Sequence, residues 1–273
     1  MRAALGLLRA SHPLPTAVVT VLATALVAGV GAPAPVVVLV AVAVLTGQLS
    51  VGWSNDWLDA ERDRVTGRAD KPAATGRVTP AAVRAAALIA LAVCAVTSWA
   101  TGALAGTLHL VAVASAWAYN LGVKGTVASA LPYAISFGLL PAFLLEAAGE
   151  PVPGALVATG ALLGLGAHVA NALPDLDDDA ATGVRGLPHR LGRRASSVTA
   201  PLLLGAGVVV VVVGLPGRGP VTLAVAAVAG VLAVAAGGLG LSRPRSRAPF
   251  AMSMAVATVC VALLVTAGPR LAP

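Results

Sequence analysis

The chain has little of what a soluble enzyme needs. Charged residues are 11% of 273 and aromatic residues 3%, so there is too little polar side chain to cover the two soluble domains such a length could form. Cysteine occurs twice. Cys94 and Cys260 both lie inside apolar runs with no pairing pattern, which excludes a disulfide framework and leaves them as small core residues. No basic face on a soluble module is available to bind nucleic acid. The net charge of +7 reads instead as an orientation signal and an attraction to anionic lipid headgroups.

What is abundant is apolar surface: 58% of residues and a mean hydropathy of +0.90. Apolar runs of about 18 to 25 residues recur along almost the whole length, each able to cross roughly 30 Å of hydrocarbon as a helix. Nine spans are predicted, at 14–32, 36–57, 80–102, 104–122, 129–148, 154–176, 196–215, 219–241 and 248–268. Short Gly/Pro-rich turns such as "GAPAP", "GEPVPG" and "GLPGRGP" separate several of them. Arg2 and Arg9 precede an apolar run as in a signal peptide, but no polar mature domain follows, so this is read as the first span. The expected fold is all-α, a polytopic membrane bundle of about nine transmembrane helices, one integral-membrane domain over 1–273.

Lys and Arg concentrate in cytoplasmic loops. With the amino terminus inside, 16 of the 18 basic residues fall on the inner side. Arg218 and Arg270 fall outside, and Glu146 and Glu150 sit on an outer loop.

One stretch breaks the apolar pattern, "NDWLDAERDRVTGRADKP" (55–72), and it occurs again 116 residues later as "NALPDLDDDAATGVRGLP" (171–188). Asn55 matches Asn171, Asp59 matches Asp175, and Asp63 matches Asp179. Thr66 and Gly67 match Thr182 and Gly183, and Pro72 matches Pro188. On a continuous helix Asn55, Asp56, Asp59 and Asp63 form one stripe about 100° wide, and Asn171, Asp175, Asp178 and Asp179 form another, with Asp177 off it. Stacked carboxylates near a helix carboxyl end repel one another and oppose the macrodipole. They call for a positive partner, and Mg²⁺ held by carboxylates and a substrate phosphate supplies one. Arg68, Lys71 and Arg185 are placed to take the remaining phosphate oxygens. A single acid-rich loop would be an ordinary solvated membrane edge; two copies on the same side, in the same register, make two halves of one site.

These residues resemble the UbiA superfamily of intramembrane prenyltransferases. "NDWLDAERD" is similar to that family's first motif, NDxxDxxxD, "DLDDD" to its second, DxxxD, and "DKPAATG" (70–76) to the basic-Pro segment after the first. The resemblance implies a helical bundle with a central cavity open to the cytoplasmic side, holding an isoprenoid tail beneath a Mg²⁺–diphosphate site. It implies departure of diphosphate to leave an allylic carbocation captured by a hydrophobic acceptor. Asn55, Asp56, Asp59, Asp63, Asp175 and Asp179 carry over, the acids with Asp178 as metal ligands and Asn171 toward the diphosphate. Ala172 departs from the family, where an acid often stands. A family Tyr-and-Lys element is matched by Tyr119 and Lys124, five apart rather than four, with both assigned to the diphosphate.

Inward from the motifs, Gln48 and Gly52 extend the first face, and Gly164 and His168 the second. A polar residue at membrane depth usually faces the bundle interior, and His168 is a candidate proton acceptor when a cation is quenched. His109 lies toward the outer end, while His12 and His189 are read as interfacial. Trp53, Trp57, Trp117, Tyr119, Tyr133 and Phe137 gather near the motif ends of their spans, as an interfacial belt or as faces for an allylic cation. The leading reading is transfer of an isoprenyl group from its diphosphate to a membrane-embedded acceptor. The alternatives are a terpene cyclase of the same superfamily and a non-enzymatic binder or transporter of lipid diphosphates. A transporter would place its polar residues near the midplane rather than at one membrane edge.

Overall fold

The structure is a computed structural model, describing residues 2–69, 71–214, 219–243 and 245–267. Asp70, Arg218 and Arg270 lie outside the described residues. Among those described, every regular element is helical: α1 (Arg2–Ala10), α2 (Pro13–Gly29), α3 (Ala34–Leu58), α4 (Ala60–Val65), α5 (Pro80–Ala100), α6 (Ala103–Leu121), α7 (Leu131–Ala148), α8 (Gly154–Ala172), α9 (Leu176–Ala181), α10 (Leu187–Gly214), α11 (Pro220–Ser242) and α12 (Ala248–Ala267). Short 3-10 turns at Val123–Gly125, Val127–Ala130 and Leu173–Asp175 complete the chain. The fold is an all-α, multi-pass membrane bundle.

Eight helices are long and apolar enough to cross a membrane, and the count reaches nine when α1 and α2, which meet at 68°, are taken as one bent span. The expected first span therefore gains a separate helix in front of it. Proline opens α2, α3, α5, α7 and α11, where its missing N–H would have no intrahelical partner. Thr79 caps α5 by accepting from the Ala82 N–H at 3.2 Å, satisfying one orphan donor of the first turn.

The spans are apolar on all sides. Val96, Val221, Val231 and Val234 are exposed, as lipid-facing residues are. Since lipid tails are as apolar as leucine, the bundle is held by close packing rather than by exclusion of water. Its centre contains Val27, Val40, Phe143, Leu145, Leu204 and Val256. Packing runs from α2 to α3 and α3 to α5, from α6 through α7, α8 and α10 to α11 and α12, and closes where α12 meets α2 and α8. Gly164 is part of the α7–α8 contact, with a Cβ there falling 2.7 Å from the Phe137 Cβ. It packs on α7 rather than extending a polar face inward from Asn171.

Both motif regions lie where long helices end and short ones begin: α3 to α4, and α8 through a 3-10 turn to α9.

Candidate functional site

The stripe expected on one continuous helix is built from two pieces. α3 stops at Leu58, and Asp59 adopts φ −91°, ψ −4°. The hydrogen bonds nevertheless step across the break, from Asp59 N to Asn55 O at 3.0 Å and from Asp63 N to Asp59 O at 2.8 Å. This keeps Asn55, Asp59 and Asp63 in helical succession. In the second region the 3-10 turn at Leu173–Asp175, with Pro174 inside it, separates Asn171 from Asp175, and Asp178 and Asp179 sit on α9. The single-helix geometry does not hold there, because proline cannot donate to the ladder.

The sequence repeat is also a backbone repeat. Arg68 N donates to Asp63 O at 2.9 Å, and Val184 N, 116 residues on, donates to Asp179 O at 2.9 Å. Gly67 and Gly183 adopt φ 68° and 84°, the left-handed helix ending that glycine favours. The Thr66 and Thr182 hydroxyls each donate to the carbonyl four residues back, at 3.1 and 3.2 Å.

The first motif is buried: Asp56, Asp59 and Asp63 are 1%, 6% and 3% exposed. Each acid meets a base. Asp56 Oδ2 accepts from Ala73 N at 3.1 Å and faces Lys71 Nζ at 3.6 Å. Asp59 pairs with Lys124 and with Arg62 at 3.1 Å, and accepts from Asn55 Nδ2 at 3.1 Å. Asp63 lies 3.9 Å from Arg62. Burial pushes the Asp63 carboxyl above its ordinary value, with Lys71, Arg62 and Arg68 pulling the other way. Burial pushes the Lys124 ammonium down, opposed by Asp59. Both shifts follow from taking charge out of water.

The second motif is more open. Asp175 meets Arg68 at 3.5 Å, and this pair joins the two motif regions across 107 residues. Asp177 turns away to Arg193 at 3.0 Å, as its position off the stripe predicts. Asp179 lies 3.5 Å from His189, which packs against the motif. Asp178 lines a cleft of about 460 Å³ with Arg68, Pro174, Asp175, Arg245 and Arg247. The last two arginines come from the α11–α12 connection, where the sequence offered only an orientation signal. Arg185 is exposed, and its side chain makes no hydrogen bond or ion pair among the described residues.

Deeper in the bundle, Tyr119 stands edge-on to Tyr133 and His168, with centroids 5.3 and 5.7 Å apart. Asn171 sits beside the Tyr133 hydroxyl. Ser129 Oγ accepts from Leu187 N at 2.8 Å and lies 3.1 Å from His168 Nε2. Which of these two atoms donates is set by the tautomer of the ring, and Nδ1 is buried without a hydrogen bond. Gly186 permits this approach, since a Cβ there would fall 2.7 Å from Ser129 Oγ.

Asn120 was missed in the sequence. Its Nδ2 donates to Val51 O at 3.0 Å and Ser54 Oγ at 2.8 Å, and its Oδ1 accepts from Asn55 at 3.4 Å. It thereby fixes the first motif to α6. Its signal was an amide at membrane depth, next to Tyr119.

No group of three or more His, Cys, Asp or Glu side chains sits close enough to hold a metal ion among the described residues; the acids are turned toward bases. Yet Asp56 Oδ1 and Asp63 Oδ2 are buried without a hydrogen bond. A buried carboxylate oxygen in that condition is costly, and an all-oxygen set suits a hard divalent cation.

The comparisons agree with this architecture. The profile of the UbiA prenyltransferase family matches residues 17–264. In fold the chain is similar to a UbiA homolog from Archaeoglobus fulgidus bound to DMAPP and Mg²⁺, at 17% identity over 97% of this chain and 98% of that one, with a TM-score of 0.76. It is similar to the apo structure of a UbiA homolog from Aeropyrum pernix K1, at 18% identity over 97% and 98%, with a TM-score of 0.72. A structure of digeranylgeranylglyceryl phosphate synthase gives 16% identity over 99% and 100%, with a TM-score of 0.68. The sequence has no match among curated proteins. With a family profile covering nearly its whole length and a bundle that superposes on UbiA homologs from end to end, the chain belongs to the UbiA prenyltransferase family.

Proposed function

We propose that this protein is a Mg²⁺-dependent prenyltransferase, moving an isoprenyl group from its diphosphate to a hydrophobic, membrane-embedded acceptor. The observation that carries the reading is the meeting of the two repeated motifs through Arg68 and Asp175, with buried acids each held by a base that a substrate phosphate can claim. The family supports it, as does likeness to a homolog bound to DMAPP and Mg²⁺. Asp56, Asp59 and Asp63 on one side and Asp175, Asp178 and Asp179 on the other are the residues that would hold the metal. Bound there, Mg²⁺ supplies charge that stabilises a departing diphosphate.

The chain's own residues do the rest. Lys71, Lys124 and Arg68 each pair with an acid of the motifs; with those acids holding metal, the same bases would be placed to take phosphate oxygens. Arg185 is free to join from the surface, and Asn55 and Asn171 orient their neighbours. The faces of Tyr119, Tyr133 and Phe137 flank the path of the allylic cation, whose charge an aromatic face stabilises. His168 takes up the proton lost when the cation is quenched. The chain works as one integral-membrane domain over 1–273, with the amino terminus, both motifs and the mouth of the cavity on the cytoplasmic side, on the strength of its basic-residue distribution.

The test is diphosphate release by purified protein from C10, C15 and C20 isoprenyl diphosphates, with products identified by mass spectrometry. Mg²⁺-dependent release with prenylated acceptor is expected. A cyclic product formed without acceptor would instead assign a terpene cyclase. Absence of release from every donor would leave a binder or transporter.

A further inference from the structure

His12, read from the sequence as interfacial, reaches the first motif. It stands at the bend between α1 and α2, and it is the one non-glycine residue with positive φ among those described, at φ 52°, ψ 64°. That region is open mainly to glycine and, among side-chain residues, to Asn, Asp and His.

The surroundings hold the bend in place. Trp53 Nε1 donates to Leu7 O at 2.8 Å, anchoring α1 on α3. The Ser11 carbonyl accepts from Thr16 Oγ1 at 2.8 Å and lies against Gly52, where a Cβ would fall 2.5 Å from the Ser11 oxygen. Any side chain at Gly52 would push the bend off α3. Gly52 is therefore a docking point for the bend, one turn before Asp56.

Docked this way, His12 Nε2 lies 3.3 Å from Lys71 Nζ. The same ammonium donates to Asn55 Oδ1 at 3.0 Å and faces Asp56 Oδ1 at 3.6 Å. An ammonium has three N–H groups and no lone pair, so the histidine must accept, as a neutral ring with its proton on Nδ1. Lys71 is thus held from three directions, and among these described partners one is a carboxylate.

We propose that His12 is a positioning residue for Lys71: carried on the α1–α2 bend, it holds the lysine ammonium in place for a substrate phosphate while Asp56 is free to bind metal. The proposal rests on the reading of Lys71 as a diphosphate ligand. It joins α1 to the reacting end of the protein.

Two variants separate the ring from the turn. His12→Gly suits the left-handed backbone and removes the ring with its acceptor, whereas His12→Gln restores an acceptor of similar reach. The first measurement needs no substrate. The rate at which an amine-reactive reagent acylates Lys71, read by peptide mass spectrometry, rises several-fold in His12→Gly and returns toward wild type in His12→Gln. In the second, His12→Gly raises the donor KM about tenfold, as loss of one hydrogen bond to a charged group implies, with kcat little changed, and His12→Gln recovers it. The melting temperature of His12→Gly stays close to wild type, because relief of the left-handed backbone offsets part of the lost hydrogen bond, which marks an intact bundle. Wild-type labelling and donor KM in His12→Gly would overturn the proposal, as would equal impairment of both variants. If wild-type protein releases no diphosphate, the prenyltransferase reading fails, while the labelling still decides whether His12 holds Lys71.

Discussion

The two motif regions share a backbone and differ in environment. Both end a short helix on a left-handed glycine, with a threonine hydroxyl folded back onto the turn and the same hydrogen bond from Arg68 to Asp63 and from Val184 to Asp179. Around that common frame, Asp56, Asp59 and Asp63 of the first region are buried and tied to Lys71, Lys124 and Arg62, while Glu61 is exposed. In the second, the Asp177 side chain is 79% exposed and Asp175 is 31% exposed. A duplicated element has become one built half and one open half. The first is held by its own bases; the second lines a cleft with Arg68, Arg245 and Arg247.

Removing an acid from the built half should have the largest effect. Asp59→Ala deletes a proposed metal ligand and strands Lys124 and Arg62, so Mg²⁺-dependent diphosphate release should fall by at least about 100-fold, and the melting temperature of the metal-free protein should also drop. Asp175→Ala tests the open half. Activity should fall by about tenfold or more, as expected for loss of a charged ligand, with the melting temperature unchanged because the side chain is partly solvated. Equal thermal losses in the two variants would erase the distinction between the halves.

The shared frame is tested by Gly67→Ala and Gly183→Ala. Each forces a Cβ into a left-handed turn, at a cost of about 1–2 kcal/mol, read as similar shifts in melting temperature; a large difference would mean that the turns are not equivalent. The smallest effect is expected from Asp177→Asn. An exposed pair with Arg193 contributes about 0.5 kcal/mol or less, and diphosphate release should remain at the wild-type rate.

Much of the fold was legible because a bilayer leaves few options. Apolar runs of spanning length must be helices, and the predicted 80–102 and 104–122 stand within a few residues of Pro80–Ala100 and Ala103–Leu121. The repeat was legible because Asn, Asp and Thr-Gly recur at one offset, and Thr-Gly is what such a helix ending needs. Less visible was the break at Asp59, since the hydrogen bonds that bridge it preserve the helical spacing on which a wheel depends. The 3-10 turn around Pro174 was signalled by the proline, but its consequence for Asp175 was not. Asn120, Arg245 and Arg247 were hidden for a different reason: Asn120 bonds to residues remote in sequence, and the two arginines line a cleft with residues remote in sequence. The same is true of the α1–α2 bend, whose docking depends on the missing side chain of Gly52.

The central claim is that two unequal halves make one site. A double-mutant cycle with Asp59→Asn and Asp175→Asn, measuring Mg²⁺-dependent binding of a non-reactive isoprenyl diphosphate analogue by calorimetry, tests it most directly. Acids that share one metal–diphosphate unit should couple, so that the double variant binds little worse than the weaker single variant. Losses that simply add, or an analogue that binds equally well to all four proteins, would contradict the account.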